Sequence, residues 1–308
     1  MWTYVCRDVL RSKNSEIIMN YVVFESGSRA GLSAELFFEQ YVNVTGIQHQ
    51  LFLSDLDENF QHIVSRHPHV HLIHDSQAFE ILKNGDAAIF PADELTRQSN
   101  PVATKVASEQ SFSQISPFYY NKKQMNEFLA PLTASCAIKV PETFSLSNVC
   151  VKPNSMSAGS RNVQFLDNAC VMQKIDIAQE YVVDVLRYDD EKMFIFPREV
   201  TLKNGYDRFI KLLPLDGELT SHVAEFVKAV CPKNEGMFSD IFHLQLCHDK
   251  TGQLYYIEFS KRISGTSCVN IVSGMNPFAL IDGADQHLNS KMIDGSWRRF
   301  EDFLLMIQ

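Results

Sequence analysis

The sequence predicts an α/β chain, and three observations predict it. Residues 17–24 form a run of apolar and β-branched side chains that leads through a turn with Gly27 and Gly31 into helical spacing over 32–41. Short strand-like segments and a further helix-like one follow to residue 90, as a small α/β domain with a parallel sheet requires. Farther on, strand segments dominate from 147 to 258, with one clear helical stripe at 218–230.

Taken in order, the strand at 17–24 and the helix at 32–41 open an α/β unit. Its turn has too few glycines for a dinucleotide fingerprint, so a plain tight turn is the better reading. Short strands follow at 50–53 and 69–73. His69 and His71 alternate with Val70 and Leu72, which suits an exposed strand face better than a metal site. A helix at 76–83 and a strand at 86–90 complete a small α/β domain with a parallel sheet over about the first hundred residues. The Ser-, Gln- and Pro-bearing stretch 98–117 reads as a linker. A helix runs from 121 to about 130, a turn spans 141–144, and strands are expected at 147–152, 179–186, 194–200 and 240–249. Residues 250–253 form a hairpin turn into a strand beginning at Leu254. The segment 276–308 is expected to be mostly helical, with a break near Gly295.

Composition narrows the function classes. The chain has 308 residues, 45 % hydrophobic and 21 % charged, with a net charge of −9 and a pI of about 5.6. Such an acidic balance argues against a general nucleic-acid or anionic-membrane binder. The seven cysteines are scattered without a C-x-x-C pair, which fits free thiols in a reducing cytosol. No signal peptide and no apolar run long enough to span a bilayer is visible. A cytoplasmic protein acting on small molecules is expected.

Two stretches carry chemistry. In the first, Glu258, Ser260 and Arg262 recur two apart, so one strand face would present a carboxylate, a hydroxyl and a guanidinium while Ile257, Phe259 and Ile263 pack the other. A carboxylate on a metal beside an arginine on an anion is what phosphoryl transfer needs; a solvated strand end with a salt bridge fits the same residues. In the second, a strand ending at Lys152 opens a loop of small residues through Ser160 and Arg161 to Val163. Backbone N–H groups in such a loop can cradle phosphate oxygens while Lys152 and Arg161 neutralise charge. A hairpin loop is the simpler alternative, and G-x-x-x-x-G-K-[ST] is absent.

Three stretches follow in a set order: the Lys152 loop, a polar break with Glu180 and Tyr181 after it, and the Gln245 strand with its hairpin into the Glu258 strand. Together with the Lys122–Lys123 helix, Pro141 and the end of the first domain at 86–95, this order resembles the ATP-grasp superfamily, in its carbamoyl-phosphate-synthase-like branch. The resemblance covers about 85–285. It implies a fold of mixed α/β and α+β class, with a Rossmann-like pre-ATP-grasp domain at 1–105 and a two-lobe ATP-grasp fold. Residues 106–185 would form the small lobe with the phosphate loop, and 186–308 the large lobe with the metal site. It further implies an ADP-forming carboxylate–amine ligase working through an acyl phosphate, with ATP and Mg²⁺. Lys152, Lys123 and Ser160 would hold phosphates; Gln173, Lys174 and Ile175 would line adenine; Glu180 would hold the ribose. Gln245, Glu258 and Ser260 would ligate Mg²⁺. Arg262 and Lys152 would be catalytic, and Arg161, Arg198, Arg262 and Gly265 would meet the substrate. Small-molecule carboxylates and amines would be the partners, and a homodimer is an expectation of the resemblance alone.

Three positions depart from the family pattern. Ser260 stands where Asn is usual, Lys261 where Pro is usual, and Asn162 where Gly is usual. A hydroxyl is a poorer metal ligand than an amide oxygen. The alternative function is therefore a catalytically impaired ATP-binding regulatory or scaffold protein.

Overall fold

The computed structural model describes residues 18–24, 26, 29–55, 67–85, 87–92, 100–103, 105, 122–151, 164–187, 192–203, 207–230, 241–282, 296–300 and 303–307. It is a mixed α/β structure with one parallel and two antiparallel sheets. The parallel sheet contains β1 (Asn20–Val23), β2 (Gln50–Asp55), β3 (Val70–His74) and β4 (Ala88–Ile89) in the order β3-β2-β1-β4. The parallel sheet expected near the N-terminus is thus present. The central strand β1 is buried on both faces, as a covered parallel sheet requires. Tyr21 and Val23 pack with Phe37, Phe38 and Tyr41 of α1 (Arg29–Thr45), and Val22 packs with Ala78 and Leu82 of α2 (Asp75–Lys83).

Local chemistry explains both helix starts. A Cβ at Gly31 would lie 2.3 Å from the Ser26 carbonyl oxygen, so only glycine lets α1 rise so close to the turn. At α2, His74 accepts from the Ser76 N–H and the Gln77 side chain accepts from the His74 N–H, which satisfies donors that a helix start leaves open. His69 and His71 both reach the Gln50 amide, at 2.8 and 2.6 Å.

The largest sheet has seven strands in the order β11-β10-β7-β8-β9-β12-β13. They are β7 (Ile177–Arg187), β8 (Met193–Lys203), β9 (Asp207–Leu212), β10 (Ile241–Asp249), β11 (Leu254–Ser260), β12 (Ser296–Phe300) and β13 (Phe303–Ile307). One of its faces is apolar. There Val183, Val185, Phe242, Leu244, Leu246, Tyr256 and Phe259 pack with Val223, Phe226, Val227 and Val230 of α4 (Glu218–Val230) and with Met125 and Leu129 of α3 (Lys122–Leu132). A separate antiparallel pair, β5 (Thr143–Val151) and β6 (Gln164–Met172), stands before it in the chain. The candidate phosphate loop, with Lys152, Ser160 and Arg161, connects these two strands and lies outside the described residues.

The C-terminal segment corrects the helical expectation for 276–308. Only α5 (Pro277–Ile281) is helical there among the described residues, and β12 and β13 are strands. The reason is tertiary. β9 offers a free edge, and Ser296 to Arg299 pair with Lys211 to Arg208 along it. Aromatic and β-branched residues such as Trp297, Phe300, Phe303 and Ile307 then join a sheet that already exists.

Candidate active site

The site starts from a defect in strand alternation. Leu254 and Tyr256 of β11 lie in the apolar core. Strict alternation would turn Glu258 to the same side. Yet Leu246 pairs with Tyr256 while its neighbour Gln245 pairs with Glu258, so Ile257 is an extra residue on β11. This β-bulge reverses the phase. Phe259 returns to the core, and Glu258 and Ser260 emerge on the opposite, polar face beside Gln245 and His243.

On that face Gln245 and Glu258 are direct cross-strand neighbours, a spacing of roughly 5 Å between Cβ atoms. The Ser260 hydroxyl donates to Glu258 Oε1 at 3.2 Å. Glu180 of β7 pairs with Cys247, one residue pair along from Gln245 on the same face. Burial pushes the Cys247 thiol up to about 11, with the Glu180 and Asp249 carboxylates adding to it, so this cysteine is a neutral wall rather than a nucleophile. Two hard oxygen donors face to face, one of them anionic, suit Mg²⁺, which takes a few protein oxygens and keeps its waters.

The polar face continues toward His243 and Asp184, which pair across β10 and β7. His243 Nδ1 lies 2.9 Å from the Arg262 carbonyl oxygen, so Nδ1 carries the proton and donates it. Burial first, and then the Arg262 charge, lower this imidazole to about 4. Arg262 lies two residues past the end of β11, half-buried, with Nη1 donating to the Ile263 carbonyl at 3.1 Å.

The adenine candidates form their own cluster. Gln173, Lys174, Ile175 and Asp176 connect β6 to β7 and line a cavity of ≈ 300 Å³ with Asp249, Lys250, Thr251 and Tyr255 of the β10–β11 hairpin. The Gln173 N–H donates to the Glu142 carbonyl at 2.8 Å, and the Lys174 ammonium pairs with Asp176 at 3.5 Å. Gly252 closes the hairpin with φ 87°, a left-handed value that glycine adopts without strain.

Two further sequence candidates have protein partners of their own. The Lys123 ammonium, on α3, lies 3.4 Å from Glu127 one turn along the same helix. Arg198, expected to meet substrate, is fully buried. Its guanidinium donates to Asp184 Oδ2 at 2.5 Å, to Thr266 Oγ1 at 3.0 Å and to the Ser264 hydroxyl. In this arrangement all three guanidinium nitrogens are engaged by protein groups. Gly265, between these two hydroxyl residues, is half-buried.

Sequence reasoning missed Asp184 and His243. The signal was available. Each is a buried polar residue flanked on both sides by apolar ones, Val183 and Val185 about Asp184 and Phe242 and Leu244 about His243, a position that demands a partner.

Solved structures share this architecture. The chain is similar to an L-amino acid ligase from Bacillus licheniformis, at 13 % identity and TM-score 0.56, over 91 % of this chain and 79 % of that one. It is similar to N5-carboxyaminoimidazole synthetase from Staphylococcus aureus complexed with ADP, at 12 % identity and TM-score 0.58, over 94 % and 81 %. A protein from Archaeoglobus fulgidus assigned to the ATP-grasp superfamily matches at 12 % identity and TM-score 0.55, over 91 % of both chains. The chain has the ATP-grasp fold. No protein-family model matches it, and no curated protein matches it in sequence. In ATP-grasp terms, the seven-stranded sheet carries the Gln245–Glu258 pair, and the β5–β6 pair precedes it. No helix among the described residues is long and apolar enough to cross a membrane.

Proposed function

We propose that this chain is an ATP-dependent ligase that activates a carboxylate as an acyl phosphate for attack by an amine, with release of ADP and phosphate. The observation that carries this reading is the Gln245–Glu258 pair, turned to the polar face by the bulge and lying one residue pair from Glu180. The ATP-grasp fold supports it, since neighbours of that fold include an amino acid ligase and a synthetase with bound ADP.

The chemistry follows from the acceptor. A carboxylate is a poor electrophile until one of its oxygens becomes a leaving group, and phosphorylation supplies that. Gln245 and Glu258 would hold Mg²⁺, which supplies charge neutralisation at the phosphates when bound. Arg262 would steady the carboxylate or the transferred phosphoryl, and Lys152 and Arg161 the phosphate oxygens. Glu180 would accept from the ribose hydroxyls, and residues 173–175 would receive adenine. In the first sheet, the order β3-β2-β1-β4 supports a Rossmann-like reading of the N-terminal domain.

A second reading rests on Ser260, whose hydroxyl is engaged with Glu258 instead of presenting an amide oxygen. On that reading the protein binds ATP and does not turn it over.

The test is ADP release with MgCl₂, screened over amino acids and short organic acids with paired amines. Acid-dependent release is expected, with a loss of roughly 100-fold or more in Glu258→Ala and Lys152→Ala, the usual scale for removing one charge-stabilising group. ATP binding by calorimetry without turnover across the panel selects the second reading. Absence of any nucleotide binding defeats both.

A further inference from the structure

Arg198 and Asp184 form a buried ion pair, 0 % and 1 % exposed at their side chains. Such a pair adds little net stability, because desolvation offsets the attraction. Its bonds go largely to one segment. From the cation, Nε reaches Thr266 and Nη2 reaches Ser264. From the anion, Asp184 accepts from the Ser264 N–H at 3.3 Å, the Ser267 hydroxyl at 2.8 Å and the Asn270 amide at 2.9 Å. Five bonds thus tie the loop after Arg262 to the polar face of the sheet.

The far side of the same segment is tied to α1. Ser33 accepts from the Cys268 N–H at 3.3 Å, and the Asn276 amide donates to the Phe37 carbonyl at 2.9 Å and to Gln40 at 3.0 Å. The loop therefore bridges α1, which packs on the N-terminal sheet, and the face carrying Gln245 and Glu258. Between 263 and 270 every residue is buried except Gly265, which is half-buried. Its two neighbours, Ser264 and Thr266, are the ones Arg198 grips.

We infer that Arg198 and Asp184 are positioning residues for the acceptor side of the reaction: they set the height of loop 264–270 and present the Gly265 backbone toward the acceptor carboxylate. This rests on the ligase reading. A fork with three donors in one plane can hold two hydroxyls and a carboxylate at once, whereas an ammonium cannot keep that geometry. Arg198→Lys preserves the charge opposite Asp184 and removes the grip.

The experiment compares the wild type with Arg198→Lys, Thr266→Val and Thr266→Ser. Steady-state ADP release is measured against ATP and against whichever standard amino acid supports turnover; MgADP affinity is measured by calorimetry and amide exchange over 241–276 by mass spectrometry. In Arg198→Lys and Thr266→Val the KM for the amino acid should rise about 10-fold or more, as a small misplacement does, while the KM for ATP and the MgADP affinity hold within about 2-fold. Thr266→Ser keeps the hydroxyl and should behave as wild type. Exchange should speed up over 264–270 and not over 241–249. An equal rise in both KM values, or unchanged exchange over 264–270, overturns the inference. A wild type that binds no MgADP defeats the ligase reading instead, and the exchange comparison still decides whether Arg198 holds the loop. If Arg198→Lys does not fold, the Thr266 pair decides alone.

Discussion

At the scale of single residues, His243 shows how burial writes a pH dependence. Its ring is buried in the sheet, facing Asp184 on β7 and Ser260 on β11, with the Arg262 and Arg198 charges pushing its pKa down and Asp184 pushing it up. The folded value of about 4 lies below the ordinary 6.5. Between those values the unfolded chain takes up a proton that the folded chain refuses. Stability is therefore complete above pH 6.5 and falls as pH drops toward 4. The expected loss is about 2 kcal/mol at pH 5. Urea unfolding at pH 7.5 and 5, with EDTA present, measures it. In His243→Gln the difference between the two pH values should shrink by about that amount. A slope identical to wild type would mean the imidazole titrates normally.

At the scale of elements, α4 is the clearest case of a sequence pattern becoming structure. Val223, Phe226, Val227 and Val230 recur at helical spacing and are all buried. Phe226 stacks on Tyr256 of β11, with ring centroids 6.0 Å apart. Tyr256 borders the bulge, so the helix braces the strand that carries Glu258. Phe226→Ala should cost about 3–5 kcal/mol in urea unfolding, the usual range for an emptied aromatic site. Glu225→Ala, on the exposed side of the same helix, should stay within about 0.5 kcal/mol. Equal effects would contradict the one-sided packing.

At the scale of the molecule, α5 joins the two largest sheets. Phe278 is fully buried and meets Phe90 at 4.5 Å, Tyr21 at 5.0 Å and Phe38 at 5.4 Å between ring centroids. Its cluster also includes Leu186, Phe196, Ile241 and Ile263 from the seven-stranded sheet and the loop after it. Just beyond, Asp282 accepts from the Tyr21 hydroxyl at 2.5 Å and from His49 Nε2 at 2.6 Å. His49 Nδ1 takes the Met19 N–H, which leaves Nε2 to carry the proton. Burial and the Asp282 charge push the Tyr21 hydroxyl well above its usual value, so it remains a donor. Phe278→Ala should lower stability by about 3–5 kcal/mol. Faster amide exchange should then appear in β1 and β10 together, because the cluster touches both sheets; a change confined to one would show that the core is not shared.

Much of this was legible in the residues themselves. Alternation placed β7, β8, β10 and β11, helical spacing placed α4, and the turn before Leu254 placed the hairpin, because these signals are local and repeat along the chain. The resemblance carried by the order of the polar stretches implies one metal site for Gln245 and Glu258. Three matters were decided only by tertiary structure. The C-terminal strands exist because β9 had an unpaired edge, and an edge is invisible in the segment that fills it. The burial of Arg198 among Asp184, Ser264 and Thr266 was decided there too, because these partners lie 14 and up to 68 positions away in the chain. Glu258 faces Gln245 because Ile257 bulges out of register; the residues specified which side chains could meet, and the bulge decided which side of the sheet they meet on.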